Sequence, residues 1–162
     1  MTSPPPAIDC ARVLHFARVD ASIQYRGNTT LYVGGKLQGE VPCLAICKYR
    51  DHNEVLLFHC DNDWNAQGVS AHATVSEAMA RAEQMYDGIS KNWTDSKTSE
   101  EDAERYLDTI FEGQVCTFCA KRPDQVRQLY GGGRGHICDG CIEKFHRLLS
   151  EEELPPLWSN DA

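Results

Sequence analysis

Two Cys-x-x-Cys pairs are the residues of this chain whose types and spacing predict a defined chemistry. Cys116 and Cys119 form the first pair, Cys138 and Cys141 form the second, and eighteen residues separate the pairs. Two thiolates two residues apart can hold one side of a tetrahedral zinc ion at about 2.3 Å, and a second pair completes the shell. Because four cysteines leave no position open for water or substrate, the pattern predicts one structural zinc ion per chain and no metal-based catalysis.

The alternatives for these pairs are a disulfide framework and a redox-active Cys-x-x-Cys. The sequence begins Met-Thr-Ser-Pro-Pro-Pro, which lacks the basic start and apolar core of a signal peptide. No stretch approaches the roughly 20 apolar residues that cross a bilayer. We therefore expect a reduced, cytoplasmic protein without a membrane segment, and such a compartment favours zinc over disulfides.

The charge is unevenly distributed along the 162 residues, whose formal net charge is −8. Residues 1–112 carry ten basic and seventeen acidic side chains, whereas residues 113–150 carry six basic and three acidic ones. Four thiolates and one Zn²⁺ bring the second range to a net charge of about +1. This small excess argues against nucleic acid as a partner, because polyphosphate binding needs a strongly basic surface.

The first part of the chain is predicted to form a small α+β domain, from about residue 8 to 94. Segments rich in β-branched and aromatic residues alternate with turn residues, which indicates three or four antiparallel strands. Thr74, followed by Glu77 and by apolar residues at helical spacing, predicts a capped helix that packs on one face of the sheet and ends at Gly88. The predicted strands lie at residues 12–23, 31–33, 42–49 and 54–60.

An acidic segment, 95–112, is predicted to link this domain to the cysteine pairs. Its Ser99 is placed to cap a short helix with apolar residues on one face. The zinc module then spans 113–152, and a tail follows at 153–162.

Four further cysteines in the first domain raise the possibility of a thiol nucleophile. Cys43 and Cys47 lie on one predicted strand about 13 Å apart, too far to share a zinc ion. His59 and Cys60 are strand neighbours that face opposite sides, so they cannot pair with each other. We expect the four cysteines, Cys10, Cys43, Cys47 and Cys60, to fill the core, since free cysteine is among the most buried residue types. A dyad of residues distant in sequence stays open as an alternative.

The C-terminal third resembles the zinc-binding domain of ClpX, the ATP-driven unfoldase of a bacterial protease. The likeness covers about residues 113–152 and includes the two cysteine pairs, their spacing, Lys121, the stretch 124–129, the glycine-rich turn and an amphipathic helix after the second pair. In that family the domain is a small treble-clef-like fold that pairs into dimers and captures adaptor or substrate peptides. The resemblance implies that Cys116, Cys119, Cys138 and Cys141 are the zinc ligands.

The resemblance does not extend to unfoldase activity, because the sequence contains no ATPase motif and the module follows another domain. The sequence thus predicts an α+β fold, a small antiparallel sheet with a packed helix, followed by a treble-clef-like C4 zinc module. We expect a non-enzymatic protein that binds proteins or peptides, as an adaptor or regulator of bacterial proteolysis or stress responses. We also expect it to dimerise through the apolar face of its last helix, Ile142, Phe145 and Leu149. The alternative for this face is packing on the α+β domain of the same chain. The alternatives are a nucleic-acid-binding zinc regulator and a cysteine-dependent enzyme in the first domain.

Overall fold

The chain divides into two compact units, with the division after Leu107. The computed structural model describes residues 3–28, 32–33, 36–37, 39–133 and 135–151. The predicted linker 95–112 contains the division, and the predicted tail 153–162 lies outside the described residues. No helix in the described ranges is both long and apolar enough to span a membrane.

An antiparallel sheet forms the framework of the first unit. The strands of this unit are β1 (Ala7–Ile8), β2 (Ala11–Arg18), β3 (Gln24–Tyr25), β4 (Tyr32–Val33), β5 (Lys36–Leu37), β6 (Cys43–Lys48), β7 (Val55–Cys60), β8 (Ala66–His72), β9 (Tyr86–Asp87) and β10 (Thr94–Asp95). Five strands of the sheet are hydrogen-bonded in the order β1-β2-β6-β7-β8, and β10 pairs with β2. Two short pairs, β3 with β9 and β4 with β5, lie outside this sheet.

The apolar composition of β6 and β7 explains their central position, since both faces of each strand are covered. One face of the sheet carries Leu44, Ile46 and Leu57, and the other carries Cys43, Cys47, Phe58 and Cys60. Two separate apolar layers therefore stabilise the unit, one on each side of the sheet.

Helix α1 (Val75–Met85) packs on the first of these faces through Ala78, Ala82 and Met85. The predicted cap is present, because Thr74 Oγ1 accepts a hydrogen bond from the N–H of Glu77 at 3.1 Å. An N-cap of this kind contributes about 1 kcal/mol to helix stability. A short 3₁₀ turn, Ile89–Lys91, follows, and its Ile89 is fully buried.

The segment after β10 is tied to β2 and continues as helix α2 (Glu100–Ile110). Ser96 donates a hydrogen bond to the carbonyl oxygen of Val13, and Arg12 donates one to the carbonyl oxygen of Thr98 at 3.0 Å. The predicted cap of α2 is again present, since the Ser99 hydroxyl accepts from the N–H of Asp102 at 3.0 Å.

The second unit contains a hairpin and a helix. Its elements are a 3₁₀ turn (Pro123–Gln125), β11 (Leu129–Gly132), β12 (Gly135–Cys138) and α3 (Asp139–Glu151). The order cysteine knuckle, hairpin, helix is that of a treble clef. The predicted fold class, an antiparallel sheet with a packed helix followed by a C4 module, is confirmed.

Candidate metal centre

The four predicted cysteines lie together in the second unit. Their sulfur atoms are all within 4.8 Å of one another. Cys116 Sγ is 3.8 Å from Cys141 Sγ, and Cys119 Sγ is 3.6 Å from Cys138 Sγ. A tetrahedron with zinc–sulfur bonds of about 2.3 Å has sulfur–sulfur edges of about 3.8 Å. The sulfur positions therefore fit a zinc ion at their centre.

The first knuckle is held by its own backbone. The N–H of Cys116 donates to the carbonyl oxygen of Lys121, and the N–H of Ala120 donates to the carbonyl oxygen of Cys116, both at 2.8 Å. Ala120 has a φ of 58°. This left-handed residue reverses the chain directly after Cys119, so that both thiols of the pair point to one side.

The hairpin brings the second pair to the first. β11 and β12 pair in the register Leu129↔Cys138, which places Cys138 at the end of β12, and Cys141 lies in the first turn of α3. The outer edge of β12 is occupied by the knuckle, because the N–H of Thr117 donates to the carbonyl oxygen of His136 at 2.8 Å. The N–H of His136 in turn donates to Thr117 Oγ1 at 3.1 Å.

One glycine of the predicted glycine-rich turn is required by this contact. A Cβ atom at Gly135 would lie 2.5 Å from Thr117 Oγ1, well inside van der Waals contact. A larger residue would displace this hydroxyl and with it the hydrogen bond that Thr117 Oγ1 accepts from the N–H of His136. Arg134, in the same turn, lies outside the described residues.

The electrostatics of the cluster favour a bound cation. Burial raises the pKa of the Cys116 thiol, but N–H donors from Cys138, Phe118 and Cys119 outweigh burial and lower that pKa to about 6. Burial and the neighbouring sulfurs raise the pKa of the Cys141 thiol to about 12. A divalent ion contacting all four sulfurs supplies the charge that lets them ionise together.

Arg122 anchors the segment between the two pairs. Its side chain is 7% exposed, and its Nε and Nη2 atoms donate to the two carboxylate oxygens of Asp124 at 3.0 and 3.2 Å. Its Nη1 donates to Asp108 Oδ1 at 2.6 Å. Its backbone N–H donates to the side-chain oxygen of Gln125 at 3.1 Å. In the sequence, Arg122 is one of six basic side chains of residues 113–150, and only the Arg-Pro-Asp order, which starts the 3₁₀ turn, distinguishes it from the others.

The cysteines of the first unit do not join the cluster. Cys43, Cys47 and Cys60 are fully buried in the sheet, as expected. Burial raises the pKa of Cys47 well above its usual value and that of Cys60 to about 12, which disfavours the reactive thiolate. The expectation was wrong for Cys10, which lies half-buried in the two-residue turn between β1 and β2 with a φ of 65°.

His59 and Cys60 face opposite sides of the sheet, as the strand period requires. Cys60 packs with Phe58, whereas the His59 ring lies 6.5 Å from the ring of Tyr86 on the α1 side. Burial and, to a smaller extent, the positive charge of Arg81 lower the pKa of His59 to about 4. His59 is therefore a neutral core residue at pH 7.

The comparisons with known proteins concern the second unit. No solved structure matches the chain. A family model described as ClpX C4-type zinc finger matches residues 114–151. The match includes both cysteine pairs, the hairpin and helix α3, and it covers less than a quarter of the 162 residues. Residues 114–151 are therefore a zinc-binding C4 finger of the ClpX type.

Proposed function

We propose that this protein is a non-enzymatic zinc protein of the bacterial cytoplasm that binds other proteins or peptides through its zinc module, as an adaptor or regulator of proteolysis or stress responses. We further propose that the same module pairs two copies of the chain. Four thiolates around the ion leave no position for a substrate, so the metal stabilises the fold.

An apolar surface on the zinc module carries the proposal. Eight large apolar side chains are exposed in the described part of the chain, and six of them belong to this small module. We call five of these the apolar patch: Phe118, Ile142, Phe145, Leu148 and Leu149. Apolar side chains concentrated on one surface are typical of interaction sites.

The patch is continuous on geometric grounds. At 100° per residue, its four α3 side chains fall within an arc of about 120°. The ring of Phe118, at the tip of the first knuckle, contacts the ring of Phe145 edge to face, with 5.1 Å between centroids. The patch thus combines one helix face with the knuckle, a shape suited to a short apolar segment of a partner.

The first unit supports a non-catalytic role less directly. Its most exposed cysteine, Cys10, borders a cleft of about 80 Å³. Small-molecule sites are usually about 300 Å³ or larger. The buried thiols Cys43, Cys47 and Cys60 have raised pKa values, which argues against a thiol nucleophile among them.

Self-association and polypeptide binding test the proposal together. We expect the zinc-loaded chain to dimerise at tens of micromolar in analytical ultracentrifugation. We also expect it to bind a permanently unfolded polypeptide, reduced and carboxymethylated lactalbumin, in fluorescence anisotropy. Phe145→Glu should abolish both, because a carboxylate cannot be buried there unpaired.

Val69→Glu is the matched control, since Val69 is an exposed apolar residue of β8 in the other unit. A wild-type chain that stays monomeric and binds no polypeptide would refute the proposal. An unchanged dimer in Phe145→Glu would place the contact outside the patch.

A further inference from the structure

The apolar patch lies along a helix that leads directly into an apolar tail. Helix α3 is described to Glu151. Three residues later the sequence reads Leu154-Pro155-Pro156-Leu157-Trp158, which we call the tail segment. Three of its five residues are large and apolar, although the chain around it is polar.

The tail segment is long enough to reach back to the patch. Proline disfavours helical backbone at the residue before it, so the sequence predicts no helix beyond Glu153. Consecutive prolines favour the polyproline conformation, which advances about 3.1 Å per residue, so Pro155 to Trp158 would cover about 9 Å. Phe145 lies six residues before Glu151, also about 9 Å along the helix axis. A reversal within residues 152–154 would therefore place Trp158 level with Phe145.

We propose that the tail segment docks on the apolar patch of its own chain, with Trp158 on the Phe118–Phe145 pair. Aromatic rings that meet at such distances gain about 0.5–1.5 kcal/mol beyond the area they bury. The tail segment then competes with the partner of the module.

The competition rests on the proposed function, whereas the docking does not. If the tail segment covers nine patches in ten, a ligand of the patch binds about tenfold more weakly than to an open patch. A homodimer that uses two patches weakens by about the square of that factor.

Photocrosslinking tests the docking. Full-length zinc-loaded chains with Trp158 replaced by p-benzoylphenylalanine are irradiated at 1 µM as a mixture of light and ¹⁵N-labelled protein. We expect crosslinks within one chain to peptides containing Phe118 or Phe145. Phe145→Glu should suppress them several-fold, and Val69→Glu should leave them unchanged.

Three results overturn the docking within one chain. Crosslinks between light and heavy chains would place the tail segment on a second copy. Crosslinks confined to the first unit would place it elsewhere on its own chain. A yield that is the same in Phe145→Glu would show that the patch is not its site.

Truncation after Glu153 tests the competition. We expect the truncated chain to bind carboxymethylated lactalbumin at least about fivefold more tightly than the full chain. If the crosslinks from position 158 to the patch form but neither the full-length nor the truncated chain binds lactalbumin, the proposed function is overturned and the docking is not. Equal affinity of the two chains would overturn the competition.

Discussion

Arg122→Met removes one buried charge from the zinc module and should weaken zinc binding strongly. The substitution retains the apolar stem and leaves the Asp124 carboxylate, 12% exposed, without its bidentate partner. Breaking a buried ion pair in this way costs about 3 kcal/mol. Because the metal-free module has little interior, folding and zinc binding occur together, and the cost appears in the zinc affinity.

A loss of 3 kcal/mol corresponds to an affinity about 100-fold lower. The assay is competition for zinc with a chromophoric chelator at pH 7 under reducing conditions. Arg127→Met is the matched control, because Arg127 also contacts two carboxylates, of Asp139 and Glu143, but its side chain is 78% exposed. Exposed pairs contribute about 0–1 kcal/mol, so the control should lose less than about fivefold.

The reasoning would be refuted by equal zinc affinities of Arg122→Met and Arg127→Met. A second variant separates charge from packing. In the double variant Arg122→Met with Asp124→Leu, no buried carboxylate is left unpaired, because the other partner of Arg122, Asp108, is 68% exposed. At least tenfold of the loss should therefore be recovered. Without recovery, the loss would come from packing around the guanidinium.

Three further predictions concern zinc, thiol reactivity and pH. Cys138→Ser should remove the single zinc ion and unfold residues 113–152 while the first unit stays folded. Elemental analysis and protease mapping measure this, with Cys10→Ser as the control. Zinc retained at one ion per chain in Cys138→Ser would contradict the prediction. Iodoacetamide should label Cys10 long before Cys60, because burial raises the pKa of the Cys60 thiol to about 12. Peptide mapping measures the order of labelling. Labelling of Cys60 first would support the alternative of a thiol nucleophile in the first unit. The free energy of unfolding of the first unit should fall by up to about 3 kcal/mol as the pH falls from 6.5 to 4. The reason is that burial lowers the pKa of His59 to about 4, so the unfolded chain takes up the proton first. Urea unfolding in the Cys138→Ser background measures this free energy, and an identical pH dependence in His59→Gln would argue against the mechanism.

The metal centre was predictable because its signal is local. Cys-x-x-Cys fixes two ligands within one turn of chain, and few other chemistries need two such pairs. The caps of α1 and α2 were predictable for the same reason, since Thr74 and Ser99 each bond to a residue three positions later. Each of these features depends on interactions within a few residues.

The features that were missed depend on distant contacts. Strand β8, Ala-Gln-Gly-Val-Ser-Ala-His, has weak strand propensity, and its pairing with β7 forms it. The two residues of β10 pair with Phe16 and His15, about eighty positions earlier in the chain. No periodicity within either segment carries that information.

The burial of Arg122 also changes the meaning of the charge count. Residues 113–150 carry six basic side chains, but one of them, Arg122, is buried against Asp124 and contributes little positive field outside. Arg127 is exposed but lies within 3.5 Å of carboxylates. The module is thus less basic than its composition indicates, which strengthens the argument against polyphosphate binding.

The zinc site and the apolar patch have a common physical origin. A chain of about 40 residues buries too little apolar surface to fold alone, and a four-cysteine metal site replaces the missing core. Once the metal holds the knuckles, hairpin and helix together, the apolar side chains of α3 are not needed inside. Large apolar side chains grouped on one exposed surface favour aggregation unless something covers them. The proposed docking of the tail segment and the proposed partner would each supply such a cover.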